Sequence, residues 1–193
     1  MGTMSEASQE FTASLGDGAE LRPLVPAHAE ETTVHMDRGR EFIGRYVAIA
    51  DVCADVEGTR GFLETYAAKA AADAGRIWGI WLDGTLVGGV LFRTMDFRMQ
   101  TAEAGCWLEP AATGRGLVTR AVAAIVDWAV EERGIHRVDW WAAVSNTASL
   151  AVAQRLGMTR EGVLREVYLH RGERYDMEVW SVLAPEWRAA RGA

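Results

Sequence analysis

The chain reads as short apolar runs bounded by glycine or proline, interleaved with stretches whose apolar positions recur every three or four residues. Glu20 to Leu24 alternates polar and apolar positions and meets Pro23 and Pro26, which predicts a short first strand ending in a turn. Ala27–Arg38 and Arg40–Ile49 are predicted as helices with Gly39 as the break, and Thr59–Ala74 as a third closed by Gly75. Asp83-Gly84, set between the apolar runs Ile77–Leu82 and Leu86–Phe92, is the strongest short hairpin signal in the sequence. Ala102–Leu108 reads as another strand, with Gly105 as a bulge or close-approach point.

Further along, Val118, Ala121, Val122, Ile125, Trp128 and Ala129 fall on one face of a helix over Leu117–Glu132, with Arg120, Asp127 and Glu131 opposite. Arg137–Val144 is then a strand, Thr147–Leu156 a helix capped by Gly157, and Thr159–Val167 with Tyr175–Leu183 a closing pair of strands around Arg171-Gly172. This order predicts an α+β chain in three layers, α/β/α. One domain is expected over residues 19–188, with residues 1–18 as a flexible N-terminal tail and 189–193 as a C-terminal tail.

Composition narrows the class. With 193 residues the chain has room for one core, and 49% apolar with 24% charged residues is the balance of a globular protein. A formal net charge of -7 argues against a general nucleic-acid binder, which needs a basic face for phosphates. Cys53 and Cys106 are far apart, so neither a disulfide framework nor a metal cluster is suggested, and a reducing cytoplasm is expected. No apolar run reaches the ~18 residues of a membrane span. Trp140 and Trp141 are adjacent on one predicted strand and should face opposite sides.

The segment Thr113-Gly114-Arg115-Gly116-Leu117-Val118 lies between a predicted strand and the start of the amphipathic helix. Backbone N–H groups are free there, the helix dipole favours an anion, and glycines let a phosphate approach without a Cβ in the way. Taken alone, a plain strand-to-helix turn accounts for it equally well. A dinucleotide site would need a full G-x-G-x-x-G opening an early βαβ unit, which the chain lacks.

With its neighbours, the segment resembles the GNAT superfamily of N-acetyltransferases, whose coenzyme A signature is Gln or Arg, two residues, Gly, one residue, then Gly or Ala. Gly116 holds the first glycine place, while Thr113 and Val118 depart from the pattern. The main-chain donors are retained and Arg115 adds charge for a pyrophosphate. The closer resemblance is to the branch that acetylates N-termini of ribosomal proteins, over roughly Glu20 to Trp187. It is carried by Ala102–Pro110, by Ser145–Ser149 followed by Arg155–Met158, and by Glu161–Glu166 followed by Tyr175-Asp176. The resemblance implies a GNAT fold with a mixed, mostly antiparallel seven-stranded sheet, acetyl-coenzyme A as co-substrate, no metal, and an amine acceptor. Homodimer formation is left open.

The superfamily's fourth strand splays from its fifth and the pantetheine arm pairs with the exposed edge, so Trp107, Leu108 and Glu109 are expected to offer main-chain groups. Thr113, Gly114, Arg115, Gly116, Leu117, Val118 and Thr119 would hold the pyrophosphate. A main-chain N–H near Cys106 or Trp107 would steady the developing oxyanion, with Cys106 itself a bystander. Glu103 is the first candidate for the base that deprotonates the amine, against the reading of an ordinary strand carboxylate; His136 and His170 are weaker candidates. By resemblance Ser149 protonates the leaving thiolate and Asn146 bonds the pantetheine arm, though both also suit a helix N-terminus as caps. Trp81, Trp141 and Tyr168 are candidate walls of the acceptor site, or else core residues. The acceptor is a protein or peptide N-terminus or a small-molecule amine; a non-catalytic acyl-coenzyme A binding module is the alternative from another class.

Overall fold

Eight strands form one sheet in the order β1-β2-β3-β4-β5-β6-β8-β7 in the computed structural model, which describes residues 11–192. The strands are β1 Ala13–Gly16, β2 Ala19–Pro23, β3 Arg76–Leu82, β4 Thr85–Asp96, β5 Thr101–Leu108, β6 Arg137–Ala143, β7 Thr159–His170 and β8 Glu173–Leu183. The helices are α1 Ala29–Ile43, α2 Ile49–Val52, α3 Val56–Ala71, α4 Leu117–Glu131, α5 Thr147–Arg155 and α6 Ala184–Arg191. All neighbouring strands pair antiparallel except β5 and β6. Among the described residues, no helix is long and apolar enough to cross a membrane.

Alternation places two cores on the two sheet faces. On one, Val90, Phe92, Ala102 and Ala104 pack beneath Ala121, Val122 and Ile125 of α4 and Val152 and Ala153 of α5. On the other, Ile77, Trp81, Leu86 and Trp107 meet Met36 and Ile43 of α1 and Leu63 and Tyr66 of α3. The hairpin turns follow their dipeptides: Asp83 and Gly84 have φ 49 and 79, and Arg171 and Gly172 have φ 48 and 83, the paired positive values of a tight hairpin.

Four expectations need correction. The sheet has eight strands rather than seven because Ala13–Gly16, read as tail, turns through Gly16, Asp17 and Gly18 and pairs with β2. Residues 1–10 of that expected tail lie outside the described residues. The C-terminal tail is likewise shorter, since α6 runs to Arg191 with Trp187 buried. Gly39 does not break a helix: α1 runs through it, and a Cβ there would stand 3.1 Å from Pro110 Cδ and from Ile43 Cδ1. The chain accepts the helix-interior cost of glycine, about 1 kcal/mol, because the segment after β5 passes directly over that point.

Gly89 of β4 is a second close approach. A Cβ on it would run into the Trp107 ring and the Trp78 carbonyl oxygen, both in the sheet interior. Gly89→Ala is therefore expected to cost about 1–3 kcal/mol by overpacking, read as a lowered urea midpoint at unchanged slope. A midpoint equal to the parent's would show that Trp107 repacks freely.

Candidate active site

The parallel pair β5 and β6 is in register only from Thr101 opposite Arg137 to Ala104 opposite Trp140. Beyond that the strands part: Gly105–Leu108 remain paired with β4 on one side, and Trp141–Ala143 remain paired with β8 on the other. The β6-facing edge of β5 is left without a strand partner in mid-sheet, which is an exposed template for added backbone.

The open edge leads into a single 3-10 turn at Pro110–Ala112 and then the glycine turn. Thr113 Oγ1 donates to the Pro110 carbonyl oxygen at 2.8 Å, so this hydroxyl braces the turn where the signature has Gln or Arg. Gly114 and Gly116 have φ 77 and 70, a left-handed conformation that a β-carbon disfavours. Gly116 is the N-cap of α4 and brings no side chain to cap it, so the N–H groups of the first helical turn have neither side-chain nor intrahelical acceptors. Thr113, Gly114, Arg115 and Gly116 are exposed, Leu117 is buried, and Val118 and Thr119 are half-buried, with Val118 turned onto the core. The departure at Val118 thus falls on the packing side of the helix. Beside the turn, Arg115, Arg120, Leu117, Leu82 and Asp17 line a cavity of about 340 Å³.

At the end of β5, Trp107 and the following Glu109 are engaged in a network that periodicity gave no sign of, because their partners on α1 lie more than 70 residues away. The Trp107 indole N–H donates to His35 Nε2 at 3.1 Å. An indole nitrogen can only donate, so His35 Nε2 accepts and the ring proton sits on Nδ1, which donates to Glu109 Oε2 at 3.0 Å. Burial holds His35 below its ordinary value, which agrees with a neutral ring. Arg38 Nε donates to the same carboxylate oxygen at 2.9 Å. The Glu109 N–H donates to the Val87 carbonyl and its own carbonyl accepts from Ala112. Glu109 is therefore not a free main-chain partner for a pantetheine arm but the bolt that ties the end of β5 to α1. Trp107, opposite Gly89 and two residues before Glu109 in the antiparallel ladder, likewise turns its main chain to β4 and is no partner for the arm, whereas the main-chain groups of Leu108 face the open edge.

Glu103 lies on the α1–α3 face, where α3, β4 and β6 surround it. Its side chain is 27% exposed and Arg93 Nε stands 3.0 Å from Oε1. Burial raises its carboxyl above the ordinary value, while Arg93 and Lys69 pull it down and Asp139 pushes it up. The Cys106 thiol is pushed up to about 12 by burial, so it offers no thiolate near neutral pH. At the mouth of α5, Asn146 Oδ1 accepts from the Ser149 N–H at 3.2 Å, the N-cap geometry. The Ser149 hydroxyl oxygen accepts from the buried Trp140 indole at 3.1 Å. That contact takes up a lone pair and leaves the hydroxyl proton available to a further acceptor.

The remaining candidates separate cleanly. Trp81 is 1% exposed, donates to Glu31 and stacks with Arg22, so it belongs to the core and not to an acceptor wall. Trp141 is 39% exposed while Trp140 is buried, as strand alternation requires. Tyr168 is half-buried, stacked on His170 and close to Arg93. His170 is buried against the Gly44 carbonyl, fixing the end of α1, and His136 is exposed at the start of β6. Neither histidine stands with Glu103. Tyr46 was not anticipated: its hydroxyl donates to the Ser145 carbonyl at 3.0 Å and its ring meets Tyr175, joining the α1–α2 segment to the loop before α5 and to the β7–β8 hairpin.

The acetyltransferase (GNAT) domain model matches residues 19–159. A probable N-acetyltransferase of Bacillus subtilis (strain 168), YjcK, is 32% identical over 170 residues, covering 86% of this chain and 94% of the relative. The ribosomal-protein-serine acetyltransferase of Escherichia coli (strain K12) is 21% identical over 155 residues, covering 80% and 87% respectively. Among solved structures, the microcin C7 self immunity acetyltransferase MccE, in complex with acetyl-CoA and AMP, superposes with a TM-score of 0.82 at 25% identity, covering 88% of this chain and 94% of that one.

Proposed function

The chain belongs to the GNAT acetyltransferase family and is an N-acetyltransferase, and we propose that it takes its acetyl group from acetyl-coenzyme A and delivers it to the α-amine of a ribosomal-protein or peptide N-terminus by direct transfer. The observation that carries this reading is the unpaired β5 edge running straight into a turn of two left-handed glycines at a helix N-terminus. The residues fit the cofactor: a Cβ at Gly114 would meet nothing within 4 Å and one at Gly116 only the Arg120 guanidinium, so the space above both glycines is open to a ligand. Acetyl-coenzyme A supplies an activated acyl thioester.

The protein's part is to position and to move protons. The glycine-turn N–H groups and Arg115 hold phosphate, and the open edge at Leu108 aligns the arm. A β5 main-chain N–H near Cys106 or Trp107 stabilises charge on the carbonyl oxygen. Glu103 accepts the amine's proton, directly or through a water. Ser149, oriented by Trp140, gives a hydrogen bond to the departing sulfur. The acceptor assignment draws support from the ribosomal-protein relative, and a ribosomal acceptor would put the protein in the cytoplasm. A small-molecule amine is the second reading, favoured by the likeness to MccE, whose structure holds the small molecule AMP as well as acetyl-CoA.

Thiol release from acetyl-coenzyme A, with the acetylated product identified by mass, tests both. Turnover is expected with peptides bearing a free N-terminus and not with the same peptides N-terminally blocked. Cofactor binding with no turnover on any amine would leave only a non-catalytic binding module.

A further inference from the structure

Opposite Glu103, strand β4 carries one residue more than β5. Phe92 pairs with Ala104 and Thr94 with Glu103, so Arg93 is the extra residue of a β-bulge, the kind of irregularity that re-aims a side chain. The Arg93 main chain is fixed. Lys69 Nζ donates to its carbonyl oxygen at 2.9 Å, and Gly75 packs so near that a Cβ there would stand 3.1 Å from the same oxygen. The side chain is held far less. It is 59% exposed, its contact with Glu103 is one ion pair at 3.0 Å, and among the described residues its guanidinium makes no hydrogen bond. A planar fork of five N–H donors, shaped for a carboxylate, therefore stands nearly unused beside the proposed base. The other groups facing this pair are Lys69 and Tyr66 from α3, Asp139 from β6 and Tyr168 from β7.

A carboxylate paired with a guanidinium is a poor proton acceptor, because the cation stabilises its charged form. Exposed ion pairs, however, are weak enough to exchange partners at little cost. We propose that Arg93 anchors an anionic group carried by the acceptor close to its amine, and that in taking that group it releases Glu103 to act as base. The acceptor class is then an amine with a neighbouring carboxylate, either a peptide with an acidic residue next to its N-terminus or an amino-acid-like small molecule. The inference rests on the reading of Glu103 as the base. Arg93 stays protonated throughout and exchanges one carboxylate for another. The amine nitrogen gains the acyl group as its proton passes to Glu103, and the thiolate leaves.

Matched peptides Ser-Glu-Ala-Ala and Ser-Gln-Ala-Ala, and the pair aspartate α-amide and asparagine α-amide, which differ only in the side-chain carboxylate, provide the test in the parent, in Arg93→Gln and in Arg93→Lys. The parent is expected to favour the acidic member by roughly tenfold in kcat/KM, the scale of one charge-assisted hydrogen bond. Arg93→Gln should erase the preference and, because Glu103 loses a neighbouring cation, move the acid limb of the pH profile for the neutral member to higher pH; Arg93→Lys should restore part of both. A preference seen with the peptides alone, or with the amino-acid amides alone, assigns the source. Equal kcat/KM within both pairs in the parent, or a preference that survives Arg93→Gln, overturns the proposal. Calorimetric affinity for the two peptides in Glu103→Gln, with and without Arg93→Gln, involves no turnover. It reports the anchor even if Glu103 proves not to be the base.

Discussion

Gly116→Glu is expected to weaken coenzyme A binding by at least about a hundredfold, the loss of one or two charge-assisted hydrogen bonds at about 1.5–3 kcal/mol each. Three effects act together. Position 116 has φ 70, so any β-carbon there is strained by about 1 kcal/mol. The new side chain would occupy space that the protein leaves open, since a Cβ finds only Arg120 Nη1 at 3.8 Å. Its carboxylate would also sit at the positive end of α4, where it takes the N–H donors meant for a phosphate and repels one. Because the protein itself does not fill the space, the fold should survive, and a melting temperature within a few degrees of the parent's separates ligand exclusion from unfolding. Calorimetry reads the affinity. Gly116→Ala, which adds the strain without bulk or charge, should fall between the two. Parent-like affinity in Gly116→Glu would move the phosphate site off this turn.

The features legible in the sequence were those written in adjacent residues. Asp83-Gly84 and Arg171-Gly172 each encode their turn in two neighbours, and the helical spacing of Ala121, Val122 and Ile125 locates α4. The glycine turn was legible for the same reason, since the left-handed φ of Gly114 and Gly116 is a local property. Gly39 was misread because glycine in a helix has two opposite meanings, a stop or a close contact. Only the approach of Pro110, distant in sequence, decides between them. β1 was misread because three successive turn-forming residues look like a tail unless Leu15 is known to be buried.

Within the site the division is the same. Glu103 and Ser149 are candidates only through the family resemblance, and the glycine turn through its adjacent residues. The His35–Glu109–Arg38 network and the bulge at Arg93 could be read from neither, because each depends on register between segments that only the folded sheet aligns. Glu109 shows the consequence. Its place at the end of β5 suggested a ligand contact, while its actual partners are on α1, and its buried carboxylate is tolerable because both His35 and Arg38 donate to it.

Glu103→Gln is expected to lower kcat by about 10²–10⁴-fold, the range ascribed to a positioned general base, with affinity for coenzyme A unchanged. The amide fills the same volume and still accepts a hydrogen bond, so geometry at the β4–β5 bulge is kept while the proton acceptor is lost. The sign of the pH dependence follows from the environment. Burial raises the Glu103 carboxyl above its ordinary range, so the base is protonated and idle on the acid side, and the parent's rate should climb as pH rises through that elevated value. The mutant should lack this limb and instead follow the ionisation of the acceptor amine, which for an α-amine lies near about 7.7–8.0. Mutant and parent should therefore converge toward alkaline pH, where the free amine needs no base to attack. A mutant that matched the parent across roughly pH 6 to 9, on either side of that ionisation, would return Glu103 to the role of a structural partner for Arg93.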